Sequence, residues 1–407
     1  MKSFRARWMT VTTAGGAAAL WIVACGGDGS TTPQSDGSRD AGVPDTSLPA
    51  DARIPDGSPP SSSASADASL DAAPSTPPVD VSVLTPGVWS WFQFPNTVCR
   101  DGSQTGFSVN LSPTGSKKIM FFLEGGGACF DDLSCAANLS HVQSTSVATG
   151  GVFDRTNDEN PFEEYTMVDV PYCTGDVHAG NNPDGGVGGQ KQQFVGYTNT
   201  GYFLRKIAAS FPDTLALVFT GSSAGGFGVA ANYGQALAAF PSIPVYLLDD
   251  SGPFMRQPPL ARCLQSEFRN VWGLDDSVLA ECGADCAGQA DWMMALAKHW
   301  VSRSSYATGL ISATGDGTIS FFWGFGANDC TSPIPLPVSA ADFAAGLTDI
   351  ETQLAPDRNF GAFLYGGSNH TVLEDGLFYS TSLDGGPSIA QWARALVETN
   401  QVSNVGP

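Results

Sequence analysis

Residues 215–226 read Leu215-Ala216-Leu217-Val218-Phe219-Thr220-Gly221-Ser222-Ser223-Ala224-Gly225-Gly226. A strand-forming run leads into a G-x-S-x-G pentapeptide, and an Ala- and Gly-rich stretch with helical character follows over 226–240. Strand, tight turn and helix in that order make a nucleophile elbow. The turn is so sharp that its flanking positions must be small, and the serine Oγ projects from its apex. In a chain with 47 glycines the pentapeptide alone says little, so the elements on either side carry the reading. Ser223 is the expected nucleophile, and Ser222 fills the variable position.

Further apolar runs lie at 117–124 (KKIMFFLE), 165–171 (YTMVDVP), 245–248, 309–313 and 360–365, each ending in a polar or Gly-rich segment. Helical stretches alternate with them. The pattern predicts an α/β domain with a mostly parallel central sheet, in which chemistry collects at the carboxyl ends of the strands.

A nucleophilic serine needs a base. Of His141, His178, His299 and His370, only His370 follows the last strand, where the order Ser, acid, His puts the base. His299 sits in a helical run beside Trp300 and reads as a packing or surface residue. His178 follows an earlier strand and reads as a residue that could border the pocket. The acid is a choice between Asp316 and the pair Asp249/Asp250. Two strands separate the elbow from Asp316, the usual acid position, and Gly315 and Gly317 free its loop to turn toward His370. Asp249 and Asp250 are expected to brace a turn under the site. Oxyanion donors are expected from the Ala224 N–H and from the run Gly125-Gly126-Gly127 after the first strand of this set, principally Gly126 and Gly127. No phosphate-binding signature follows a strand.

These motifs resemble the pectin acetylesterase and Notum carboxylesterase family. The resemblance rests on Cys99-Arg100-Asp101-Gly102-Ser103, Leu123-Glu124-Gly125-Gly126-Gly127 with Cys129 and Cys135, Gly221–Gly226, Asp250-Ser251-Gly252, and the Asp316 and His370 loops. It implies an α/β-hydrolase-like serine esterase with Ser223, Asp316 and His370 as triad, and Gly126, Gly127 and Ala224 as oxyanion hole. It also implies a cofactor-free reaction on an O-acyl ester, most simply an acetyl group on a polysaccharide. The alternatives are a deacylase of longer-chain or protein-linked acyl esters and a non-catalytic surface binding protein on the same scaffold. Two features depart from the family pattern: Ala128 stands where a bulky aromatic is usual, and residues 254–290, with Cys263, Cys282 and Cys286, form an insertion facing the substrate side.

The amino end has its own logic. Lys2, Arg5 and Arg7 precede a short apolar stretch ending in Ile22-Val23-Ala24-Cys25, which resembles a bacterial lipobox. The expectation is a lipoprotein-type signal over 1–24, a lipid on Cys25, and placement on the outer membrane or cell surface, with free secretion as the alternative. Of the 55 residues from 26 to 80, 47 are Ser, Pro, Asp, Ala, Gly or Thr, too little apolar surface to offset ordering. Residues 25–80 are therefore expected to be a disordered tether, and 81–407 the esterase domain.

Setting Cys25 aside leaves eight of nine cysteines, which in an exported protein suggests up to four disulfides. Cys129 and Cys135 are close enough to pair locally; the remaining connectivity is open. No tetrahedral Cys/His set is complete, so no metal is expected. The whole chain carries 19 basic and 40 acidic residues, a formal −21. That charge disfavours nucleic acid as a partner. The 81–407 segment alone holds 31 acids and 14 bases, an unfavourable field for polygalacturonate. A monomer meeting the membrane only through its lipid is the expected form.

Overall fold

The computed structural model describes residues 77–144 and 147–406. The expected signal, Cys25 and the tether up to residue 76 lie outside the described residues. Val79, two residues ahead of the expected domain boundary, is buried and its N–H donates to Ser210 Oγ at 2.7 Å.

Ten strands occur among the described residues: β1 (Trp89–Val98), β2 (Gln104–Asn110), β3 (Lys118–Leu123), β4 (Thr166–Val170), β5 (Asn182–Val187), β6 (Gln190–Phe194), β7 (Ala216–Ser222), β8 (Val245–Asp250), β9 (Thr308–Ala313) and β10 (Phe360–Tyr365). Eight form one sheet in the order β1-β2-β4-β3-β7-β8-β9-β10, and β5 and β6 form a separate hairpin. From β4 to β10 all neighbours are parallel; β1 and β2 add an antiparallel edge. The six apolar runs read from the sequence are the six parallel strands. β7 extends two residues beyond the expected end, to Ser222, and β8 extends through Asp250.

Side chains alternate across the parallel strands because successive Cβ atoms point to opposite faces. On β3, Ile119, Phe121 and Leu123 pack with Phe219 of β7 and with the helix Gly196–Ser210. Met120 and Phe122 pack on the other face with Val218, Ile311 and the helix Ile389–Thr399. Both faces are covered, which is why these strands read as continuous apolar runs. The expected helix over 226–240 is two helices, Ala224–Ala231 and Tyr233–Ala239, meeting at Asn232.

The insertion after β8 is helical. Arg262–Trp272, Val278–Cys282 and Ala284–Ala287 join Trp292–Arg303 in a third apolar cluster above the strand ends. Four disulfides are present among the described residues: Cys99–Cys173, Cys129–Cys135, Cys263–Cys330 and Cys282–Cys286. Cys263–Cys330 ties the insertion to the segment after β9.

Candidate active site

The turn after β7 forces Ser223 into a conformation that L-residues rarely adopt, φ +59° and ψ −119°. The neighbours that allow it are small by necessity. A Cβ built on Gly225 would stand 1.8 Å from the carbonyl oxygen of Leu123, so any side chain there would collide with β3. The Ser223 N–H donates to the carbonyl of Asp250 at 2.7 Å and pins the apex to the end of β8. Strain held at one residue by surrounding structure is the usual state of such an elbow.

His370 and Asp316 meet this serine. Ser223 Oγ lies 2.7 Å from His370 Nε2, and His370 Nδ1 lies 2.8 Å from Asp316 Oδ2. A carboxylate can only accept, so Nδ1 carries the ring proton and Nε2 is left to accept from the serine hydroxyl. Asp316 is wholly buried; its other oxygen, Oδ1, accepts the N–H groups of Thr318 (2.9 Å) and Ile319 (3.0 Å) at the start of the helix Gly317–Trp323. The carboxylate is thereby fixed in rotamer and aimed at the imidazole. The sequence favoured Asp316 over Asp250 as the acid, and the ring's partner is Asp316.

Asp250 grips the histidine loop by its backbone instead. Its Oδ2 accepts the N–H groups of Val372 (2.8 Å) and Leu373 (2.9 Å). Burial raises this carboxyl above the ordinary range, against the pull of those two donors. Asp249 Oδ1 accepts the Gly252 N–H at 2.8 Å, and burial raises its carboxyl further. Both aspartates brace turns.

The remaining histidines are placed elsewhere. His178 does not line the pocket. It is buried beneath the glycine run, its Nε2–H donating to the Glu124 carbonyl at 3.0 Å, and desolvation lowers its pKa to about 4, so it is neutral. His299 is buried on the helix Trp292–Arg303 with its Nδ1 3.0 Å from Asp285. His141 is exposed beside Asp101 and Ser103.

The glycine run after β3 passes against the elbow: a Cβ on Gly125 would stand 2.9 Å from that of Ser223. Gly126 (φ +152°) and Gly127 (φ +82°) take conformations suited to glycine. Gly127, Ser223 and Ala224 share the wall of one narrow pocket, whose cavity volume is about 30 Å³. The rest of that wall is almost entirely apolar: Ala128, Phe227, Phe268, Trp272, Phe322 and Trp323 among others. Phe268 and Trp272 come from the insertion, stacked 4.6 Å apart at an i,i+4 spacing. The sequence motifs single out neither aromatic.

Next to the glycine run two carboxyls face each other. Asp169 of β4 is fully buried; burial, then the nearby Glu124 carboxylate, push it well above the ordinary range. Burial raises Glu124 as well.

An α/β-hydrolase-like scaffold with a Ser–His–Asp hydrogen-bond chain at the strand ends, opening on an apolar slot, belongs to the serine-hydrolase class. The comparisons narrow the class. The pectinacetylesterase family model matches residues 92–294. The palmitoleoyl-protein carboxylesterase NOTUM of Drosophila melanogaster is 32% identical over 209 residues, covering 45% of this chain and 30% of that protein. The Mus musculus NOTUM is 31% identical over 175 residues, covering 39% and 34%. The chain thus spans about a third of the length of these curated relatives. In three dimensions the Wnt deacylase Notum from Drosophila superimposes with a TM-score of 0.59 at 21% identity, over 76% of this chain and 92% of that one. The chain belongs to the pectinacetylesterase and Notum carboxylesterase family, a family of carboxylic ester hydrolases.

Proposed function

We propose that this protein is a serine carboxylesterase that removes an O-acyl group whose acyl chain lies in the apolar slot beside Ser223. The observation that carries the reading is the unbroken chain Ser223 Oγ, His370 Nε2, His370 Nδ1, Asp316 Oδ2 at 2.7 and 2.8 Å, opening on that slot. In this mechanism His370 takes the Ser223 proton as Oγ attacks the ester carbonyl. The N–H groups of Gly126, Gly127 and Ala224 receive the developing oxyanion, and Asp316 stabilises the imidazolium without taking the proton. The C–O bond to the alcohol breaks, the alcohol leaves with the proton from Nε2, and an acyl ester remains on Ser223. Water, deprotonated by His370, then attacks that ester; the acid departs and Ser223 regains its proton. Every step uses protein groups and water.

Longer acyl chains stand ahead of acetyl because the wall beside Ser223 is apolar and largely aromatic, and because the NOTUM relatives are named for a palmitoleoyl substrate. The second reading is an acetylesterase acting on a polysaccharide, favoured by the description of the matching family model. Rates on p-nitrophenyl esters from C2 to C16, with Ser223→Ala as control, separate them. A maximum at medium or long chains supports the first. A maximum at C2 with deacetylation of a polysaccharide supports the second. Turnover retained in Ser223→Ala refutes both.

Export with a lipid on Cys25 is proposed on the lipobox-like sequence and on the four disulfides of the described residues, which call for an oxidising compartment. Detergent-phase partitioning that is lost in Cys25→Ala tests it; an aqueous wild type contradicts it.

A further inference from the structure

The motifs around Cys99, Arg100, Cys129 and Cys135 have no part in the steps above, yet they converge on one atom of the glycine run. Asn138 Nδ2–H donates to the carbonyl oxygen of Gly126 at 2.7 Å. Asn138 is buried, and its own backbone carbonyl accepts from Arg100 Nη2 at 2.7 Å. The same guanidinium nitrogen reaches the Cys135 carbonyl at 3.3 Å, while Nη1 donates to Gln192 Oε1 at 3.0 Å. The Cys129–Cys135 disulfide closes the turn that leads into Asn138. On the other side the Tyr172 ring covers Gly126 so closely that a Cβ there would stand 2.8 Å from it.

The Gly126 carbonyl and the Gly127 N–H belong to one peptide unit. That unit is trans, so its C=O and N–H point in opposite directions. Holding the carbonyl on the Asn138 side therefore sends the Gly127 N–H the other way, and Gly127 lines the same pocket as Ser223 and Ala224. Two successive glycines with positive φ have little intrinsic preference for one peptide orientation over its flipped alternative. A donor worth having in the transition state must already be aimed in the ground state.

We propose that Asn138 is a positioning residue for the oxyanion hole: its side-chain amide tethers the Gly126 carbonyl and so orients the Gly127 N–H, with Arg100 and the Cys129–Cys135 turn holding Asn138 in place. This rests on the esterase reading given above. Asn138 touches no reacting atom, and nothing in its local sequence marks it.

The test compares wild type with Asn138→Asp and Asn138→Ala on p-nitrophenyl butyrate, with folding checked by thermal unfolding and circular dichroism. Loss of alignment is expected to lower kcat on the order of 10–100-fold while KM stays within about threefold, since the interaction matters in the transition state alone. An alkyl trifluoromethyl ketone, which adds to Ser223 and places an oxyanion in the hole, is expected to bind more weakly by the same factor. The matching methyl ketone is expected to keep its affinity.

Asn138→Asp adds a readout that a merely structural role would not move. A protonated carboxyl can donate to the Gly126 carbonyl as the amide does, and an ionised one repels it. Its kcat relative to wild type is expected to recover as pH falls, while the ratio for Asn138→Ala stays flat. The charged and titratable groups facing the position are Arg100 and Tyr172, with Asp176 beyond the phenol. Both variants within twofold of wild type, in an enzyme whose activity depends on Ser223, would overturn this inference alone. A folded wild type that hydrolyses no ester would overturn the esterase reading and this inference together.

Discussion

Asp250 Oδ2 accepts the backbone N–H of Val372 at 2.8 Å, two residues beyond His370. Leu373 donates to the same oxygen, so the carboxylate at the end of β8 holds the histidine loop by its main chain while Asp316 alone holds the ring. The two acids therefore differ in kind. Asp316→Asn puts an amide against Nδ1 and favours the wrong imidazole tautomer, with kcat expected to fall by roughly 10³–10⁴ at little cost in stability. Asp250→Asn keeps one oxygen to accept from the loop and is expected to lower kcat about tenfold or less. Steady-state kinetics of both variants beside wild type measure the contrast, and equal losses would contradict it.

Ala128 is one of the small residues lining the slot. Its small side chain lines the same pocket as Gly127, Phe268 and Trp272. In Ala128→Phe a ring would occupy space the acyl chain needs. For esters of eight or more carbons kcat/KM is expected to drop by at least about tenfold, with acetyl esters affected much less. The ratio of C8 to C2 rates is the measurement.

Glu374, in the loop after His370, is pushed up to about 7, first by burial and then by Glu124, Asp250 and Asp375. Between its ordinary value of 4.5 and about 7 the folded protein holds this proton and the unfolded chain does not. Its contribution to stability is therefore complete below pH 4.5 and is lost as pH rises through 7. Glu374→Gln cannot ionise and is expected to be more stable than wild type at pH 8 by about 1–2 kcal/mol, converging toward it near pH 4.5. Denaturant unfolding at the two pH values reads the difference, and a wild type that gains on the variant as pH rises would contradict it.

Cys263–Cys330 closes a separation of 67 residues and ties the helix carrying Phe268 and Trp272 to the segment after β9. Cys263→Ala with Cys330→Ala is expected to cost roughly 2–4 kcal/mol in unfolding free energy. Long-chain esterase activity should fall more than acetyl activity, since the pocket wall loosens before the Ser223–His370–Asp316 chain does. Denaturant unfolding and the C8 to C2 rate ratio check both halves.

How far the chain could be read in advance follows from where each signal lives. The six parallel strands are buried on both faces, so they stand out as apolar runs, and the motif residues fall at their ends because such sheets place chemistry there. β1 and β2 escaped notice. They form an antiparallel edge, β1 mixes polar and aromatic residues, and its pairing with β2 shifts register between Gln93 and Val98. The pocket wall was legible only as an insertion on the substrate side: that Phe268 and Trp272 share a helix face lining the pocket with Ser223 is set by tertiary packing. Asn138 left no trace, since one amide reaching a backbone carbonyl twelve residues earlier has no periodic or compositional signature.

The role of Ser223 as nucleophile is tested most directly by covalent trapping. An alkyl fluorophosphonate is incubated with the folded protein and the adduct is located by peptide mass mapping. One phosphonyl group per chain is expected on the peptide containing Ser223, absent from Ser223→Ala and formed far more slowly in His370→Ala. A wild-type chain that stays unlabelled, or a label that persists in Ser223→Ala, would contradict the assignment.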